Sequence, residues 1–227
     1  RKMSGAGMMD CKKALEEDGS DLYKAIEIIR KKGQAVAAKR SDREASEGCV
    51  LAAENAGFAA IVALKCETDF VAKNEQFVAL TQDSLNVGMS VKPETVEALL
   101  ASPLADGRAI QEHITDRVGV TGEKMELGFY QFVNGASSVS YIHPGNKLAT
   151  IVAFNEAVDH TVARDVAMQV AAMNPVAVRA EEVPQNVIDT EMEIARDKAR
   201  QSGKPENLLD RIAQGALQKY YKENTLL

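Results

Sequence analysis

The sequence predicts an α+β protein with antiparallel sheets, framed by helices at both ends, and three observations carry that expectation. Apolar residues recur at helical spacing through residues 11–29 and again through 188–220. Two pairs of apolar runs flank tight-turn signals, Asn55-Ala56-Gly57 and His143-Pro144-Gly145-Asn146, as the arms of β-hairpins do. A helical segment follows each hairpin, which yields two α+β units resembling pseudo-repeats.

Taken in order, the first helix carries Cys11, Ala14, Leu15 and Asp18 at i, i+3, i+4 and i+7, and is expected to stop at Gly19. The second repeats the spacing with Leu22, Ala25, Ile26 and Ile29; Ser20 or Asp21 caps it, and Gly33 is expected to end it. Two such helices enclose a very small core, so a third is expected ahead of residue 1. Lys39 to Gly48 is polar and reads as a linker or the end of a solvated helix. The first hairpin pairs Cys49–Ala53 with Phe58–Leu64. A helix with Phe77, Leu80, Ser84 and Leu85 on one face follows, then one with Ile110, Ile114 and Val118 before Gly119. Met125, Leu127 and Phe129 alternate with Glu126 and Gly128, a strand signal, and Asn134-Gly135 is a turn signal. The second hairpin joins Ser138–Ile142 to Leu148–Phe154. The next helix is expected to pack on it through Val162, Val166, Val170 and Met173, and to end at Asn174-Pro175. Ile188, Met192, Ala195 and Ala199 form one seam of a closing helical hairpin. Leu209, Ile212, Ala216 and Tyr220 form the other, after the break at Ser202-Gly203-Lys204-Pro205.

Composition limits the function classes. The chain has 227 residues, 45% hydrophobic, enough for one large domain or two to three small modules. No apolar run approaches the ~20 residues of a membrane helix, and no signal-peptide pattern follows the charged start, so a cytoplasmic location and no membrane partner are expected. Cys11, Cys49 and Cys66 are odd in number and widely spaced, as reduced thiols are. A net charge of −6 and the absence of Trp argue against direct nucleic-acid binding and favour a protein partner. The chain has no phosphate-cradling Gly-x-x-x-x-Gly-Lys-Ser/Thr loop, and Gly203-Lys204 runs into Pro205, so it is not itself read as a GTPase. His113, His143 and His160 are scattered and lack the spacing of a metal site. No nucleophile elbow is present. Neither an enzyme nor a cofactor or metal is expected.

The most unusual stretch is Lys65-Cys66-Glu67-Thr68-Asp69-Phe70-Val71-Ala72-Lys73-Asn74-Glu75-Gln76-Phe77, where a buried strand runs straight into a helix start. Thr68 and Asp69 can cap that helix. From pattern alone Phe70 is expected to pack inward, with Asp69 a mere cap.

Three segments together alter that balance. Gly5-Ala6-Gly7-Met8-Met9-Asp10-Cys11-Lys12-Lys13-Ala14-Leu15, Cys66 to Asn74, and Gln201-Ser202-Gly203-Lys204-Pro205 resemble, in order, signature segments of the elongation factor Ts family, with Met168 to Asn174 a further likeness. The resemblance implies a ubiquitin-associated-like helical module and linker start over 1–40, core subdomains over 47–134 and 135–181, the second incomplete, and a coiled-coil hairpin over 182–227. Lacking the first helix of that module and the strands that complete the second subdomain, the sequence reads as a truncated chain. The resemblance also implies a guanine nucleotide exchange factor that binds elongation factor Tu and speeds GDP release. Thr68, Asp69, Phe70 and Val71 would enter the GTPase near its Mg²⁺ site. Met8 and Met9 match paired methionines that touch the GTPase, although core packing of the small module is an equal reading, and His143 matches a contact of the second subdomain. The hairpin offers a surface for homo-oligomerisation. The competing reading is a module that binds ubiquitin-like folds or nascent chains without exchange activity.

Overall fold

A computed structural model describes residues 1–227, which divide into two compact units, 1–167 and 168–227. The chain is α+β with antiparallel sheets. In the first unit, helices α1 (Met8–Glu17) and α2 (Leu22–Lys39) precede a hairpin of β1 (Glu47–Asn55) and β2 (Phe58–Cys66). A four-residue helix α3 (Asp69–Ala72), then α4 (Glu75–Val91), α5 (Val96–Ala101) and α6 (Ile110–Thr121), leads into β3 (Met125–Asn134). The sheet order is β1-β2-β3, so β2 is paired on both edges. A second hairpin, β4 (Ser137–Ile142) and β5 (Ala149–Phe154), is followed by α7 (His160–Met173).

The main core lies where one face of the three-stranded sheet meets α4 and α6. Cys49, Val62, Leu64 and Cys66 from the sheet close against Phe77, Leu85, Ile110 and Ile114, all essentially without solvent contact. Thr81 and Ser84 are buried on α4 as well, and their hydroxyls donate to the carbonyls four residues back, Phe77 O at 2.9 Å and Leu80 O at 2.8 Å. Burying them therefore leaves no donor unpaired.

Several expectations change on contact with the tertiary structure. The helix α2 does not end at Gly33 but runs on to Lys39, because Gly33 is where it crosses α6. A Cβ on Gly119 would sit 2.5 Å from Gly33 Cα, so α6 needs glycine there for the backbones to meet. Phe129 does not share the inward face of Met125 and Leu127. Ala63 pairs with Phe129 while Leu64 pairs with Leu127, so Gly128 is bulged out and the alternation slips by one residue. Phe129 is thereby 61% exposed and Tyr130 takes the inward place. Helix α5, absent from the sequence-based expectation, is capped by Thr95 and buries Leu99; six residues are too few to display a period.

On α7 the packed face is Ala163 and Ala167, which close on Val139, Val152 and Phe154, whereas Val162 and Met173 are exposed. Small side chains let the helix approach the two-stranded sheet, and the Thr150 hydroxyl reaches Ala167 O at 2.9 Å. The second unit takes in the end of α7, from Met168, and a helical hairpin of α8 (Gln185–Gln201) and α9 (Leu209–Asn224). Its α9 seam keeps Leu209, Ile212 and Tyr220 at least half-buried, as expected, and adds Ala213 and Leu217, whereas Ala216 is exposed.

The Gly33–Gly119 crossing yields substitutions of opposite sign. Gly119→Ala forces two backbones apart and is expected to lower unfolding free energy by about 1–3 kcal/mol. A Cβ on Gly33 meets Gly119 Cα at an ordinary 3.5 Å, so Gly33→Ala should be neutral or stabilising by up to about 1 kcal/mol through helix propensity. Urea denaturation of the two variants checks the pair, and equal destabilisation would contradict the crossing.

Candidate functional site

The corner between β2 and α4 starts from local chemistry. Thr68 has an extended backbone and caps α3, its hydroxyl accepting the Val71 N–H at 3.5 Å. Asn74 then caps α4 by accepting from Gln76 N and Phe77 N, which breaks the chain into two helices instead of one. That break decides the fate of Phe70. In a continuous helix Phe70 and Phe77, seven residues apart, would share a face. With α3 turned off the axis, Phe77 is fully buried and Phe70 is 83% exposed. The inward packing expected for Phe70 from pattern alone is therefore overturned. Val71 is half-buried against the main core and Ala72 is buried, so α3 is held from beneath while its aromatic residue faces solvent.

Asp69 points to solvent and pairs with Lys73 at 2.8 Å. The hydrogen bond and charge of Lys73 hold the Asp69 carboxyl below the usual carboxylate range and push the lysine up. Asp69 is thus ionised at neutral pH. The corner is tied down by residues that carry no local signal. Thr68 donates through its N–H and its hydroxyl to Glu123, at 3.0 and 2.6 Å. Lys124 N donates to Glu67 at 2.7 Å, and Cys66 Sγ to Thr68 O at 3.2 Å. Lys73 could have been found as the i+4 partner of Asp69. Glu123, 55 positions from Thr68, could not.

The other predicted residues stand apart from this corner. Met8 and Met9 open α1 and are 69% and 61% exposed. Core packing thus does not explain the pair, while Ala14 fills the inner face of the same helix. His143 is exposed in the β4–β5 turn, where its Nδ1 lies 2.8 Å from Tyr141 Oη. No hydrogen bond joins the three groups. His113 and His160 face Asp106 and Glu54 at 3.0 and 3.3 Å, and no group of three or more His, Cys, Asp or Glu is arranged to hold a metal ion. A groove of about 700 Å³, lined by Ile26, Ile29, Leu80, Leu104 and Arg117 among others, includes none of the predicted site residues. No helix is long and apolar enough to cross a membrane.

Comparison with known proteins first places the chain in a class, the translation elongation factors. A family profile described as Elongation factor TS matches residues 67–227. Elongation factor Ts of Porphyromonas gingivalis is 74% identical over 227 residues, covering 100% of this chain and 83% of the relative. The protein of the same name from Azobacteroides pseudotrichonymphae is 57% identical over 228 residues with the same coverage. That of Bacteroides fragilis is 56% identical over 201 residues, 88% of this chain and 61% of the relative. The chain belongs to the elongation factor Ts family, a family of nucleotide exchange factors of protein biosynthesis.

Beneath the corner, burial and the negative charge of Glu123 push the Cys66 thiol up to about 11. A raised thiol pKa contributes stability that is complete below the unfolded value near 9.0 and is lost as pH climbs through about 11. Denaturation between pH 8 and 11 should therefore show a loss of roughly 2–3 kcal/mol that is missing in Cys66→Ala. In the folded protein iodoacetamide should modify half-exposed Cys11 first, with Cys66 reacting only on unfolding. Equal labelling rates would contradict the assignment.

Proposed function

We propose that this chain promotes GDP release from elongation factor Tu by presenting Asp69 and Phe70, with Thr68 and Val71 as their frame, to the region of the GTPase that holds Mg²⁺. The observation that carries this reading is the exposure of Phe70 on a corner whose backbone is capped and whose neighbouring residues are packed. Met8, Met9 and His143 are assigned secondary contacts on the same partner. The ubiquitin-associated-like module, the two core subdomains and a coiled-coil hairpin capable of self-association belong to the same reading, with a cytoplasmic location.

The mechanism is one of opposed binding. Factor and Mg²⁺·GDP favour different conformations of the GTPase, so each lowers the other's affinity by the same factor. Burial of one Phe side chain supplies roughly 1.5–3 kcal/mol, and each tenfold change corresponds to about 1.4 kcal/mol. Phe70 therefore accounts for one to two decades, and displaced metal ligands and the wider interface supply the rest. Asp69 brings negative charge towards a phosphate-bearing site. Its pair with Lys73 lies at the surface, Asp69 partly and Lys73 largely exposed, and is therefore weak, so little opposes its release.

Stopped-flow release of fluorescent GDP from elongation factor Tu tests the assignment. Phe70→Ala is expected to slow factor-dependent release about ten- to a hundredfold while still binding the nucleotide-free GTPase. Met8→Ala/Met9→Ala should weaken binding more than it slows release at saturation. Release by Phe70→Ala at the parental rate would remove the aromatic residue from the mechanism.

A further inference from the structure

The strands β2 and β3 stop pairing at Cys66 and Met125. Beyond that point two carboxylates continue the connection, one from each side. Glu67 accepts the Lys124 N–H at 2.7 Å, and Glu123 accepts both the Thr68 N–H at Oε2 (3.0 Å) and the Thr68 hydroxyl at Oε1 (2.6 Å). Glu123 is itself delivered by the left-handed Gly122 that ends α6, at φ 74°, and its N–H donates to Thr121 Oγ1 at 3.3 Å. Lys124 Nζ adds a bond to Ser41 O at 2.9 Å.

The chemistry of this clasp bears directly on Phe70. A threonine hydroxyl has one proton and two lone pairs. Committing the proton to Glu123 turns a lone pair towards Val71 N, which is the orientation a helix cap needs. A helix of four residues cannot sustain itself in water, so the fixed cap, with Val71 and Ala72 packed below, determines whether α3 forms. An ionised carboxylate suits the task because both oxygens only accept. A glutamine could keep its oxygen on the Thr68 N–H, but its NH₂ would turn the Thr68 hydroxyl from donor to acceptor and remove the charge-assisted bond.

We propose that Glu123 is a positioning residue for the exchange contact, holding Thr68 as the cap of α3 so that Asp69 and Phe70 are presented before any partner arrives. This rests on the role of Thr68–Val71 proposed above. Without the carboxylate the corner samples other conformations, and the apparent affinity for the GTPase falls by the fraction that remains competent.

The experiment measures GDP release at limiting concentrations of the full chain for the parent, Glu123→Ala, Asp69→Ala/Phe70→Ala and the combined variant, together with hydrogen–deuterium exchange of the Thr68 and Val71 amides. Glu123→Ala is expected to lower the second-order release rate about tenfold and to deprotect both amides. It should add nothing in the Asp69→Ala/Phe70→Ala background. Glu123→Gln should fall short of the parent despite its matched size. If Glu123→Ala does not fold, Thr68→Val, which removes only the hydroxyl, must show the same non-additivity. Losses that multiply independently, or unchanged protection of Thr68, overturn the assignment. Parental release by Asp69→Ala/Phe70→Ala would instead defeat the proposed role of the corner, and amide protection alone would then decide whether the clasp orders it.

Discussion

Strand β2 is bonded along both edges, and that double pairing fixes where the chain can leave the sheet. It runs opposite β1 from Phe58 to Cys66, with β3 along the other side. A slip of one residue would turn Val62, Leu64 and Cys66 out of the core, so the register is held by the burial of those side chains. The exit at Glu67-Thr68 follows from it. A chain leaving a sheet must still satisfy its amides, and here the carboxylates of Glu67 and Glu123 and the Thr68 hydroxyl do so. The orientation of the corner is thus inherited from the sheet.

An exposed Phe on its own says little, since single apolar side chains are common on surfaces. The surroundings of Phe70 give it meaning. The same stretch contains Phe77, buried completely on α4, and the two differ because Lys73-Asn74 interrupts what would otherwise be one helix. The Asn74 cap stabilises α4 and at the same time prevents Phe70 from joining the core. Met8 and Met9 show a similar division, with Ala14 facing inward and the thioethers at the free end of α1. Flexible, polarizable side chains at such an end adapt to a surface more readily than branched ones.

Much of this arrangement is legible in the chain of residues, and the illegible parts share a cause. Both hairpins are announced by turn residues, and the faces of α4 and α6 by large apolar side chains at helical spacing. Thr68 is recognisable as a cap because capping is local, whereas Asp69 is the first residue of α3 and not a cap, and the second cap at Asn74, which splits the expected helix in two, is absent from the sequence-based expectation. What depends on a distant partner is not legible. Gly33 reads as a stop until Gly119 crosses it, Phe129 reads as inward until Gly128 bulges against Lys65, and the alanine face of α7 is masked by neighbouring valines. Glu123 belongs to this group: its significance lies wholly in a contact made across the end of the sheet. Phe70 is intermediate, because its period matches Phe77 while the Asn74 that separates them lies in plain view.

A rigid corner has a thermodynamic consequence for exchange. Ordering a flexible segment at the moment of binding subtracts from the free energy available for other work. With Asp69 and Phe70 presented in advance, as proposed, the factor would contribute its burial energy without that deduction and the deformation would fall on the GTPase. Reciprocity between the two ligands holds at any stiffness; on the proposed contact, how firmly Thr68 is held would set the size of the coupling that both ligands share.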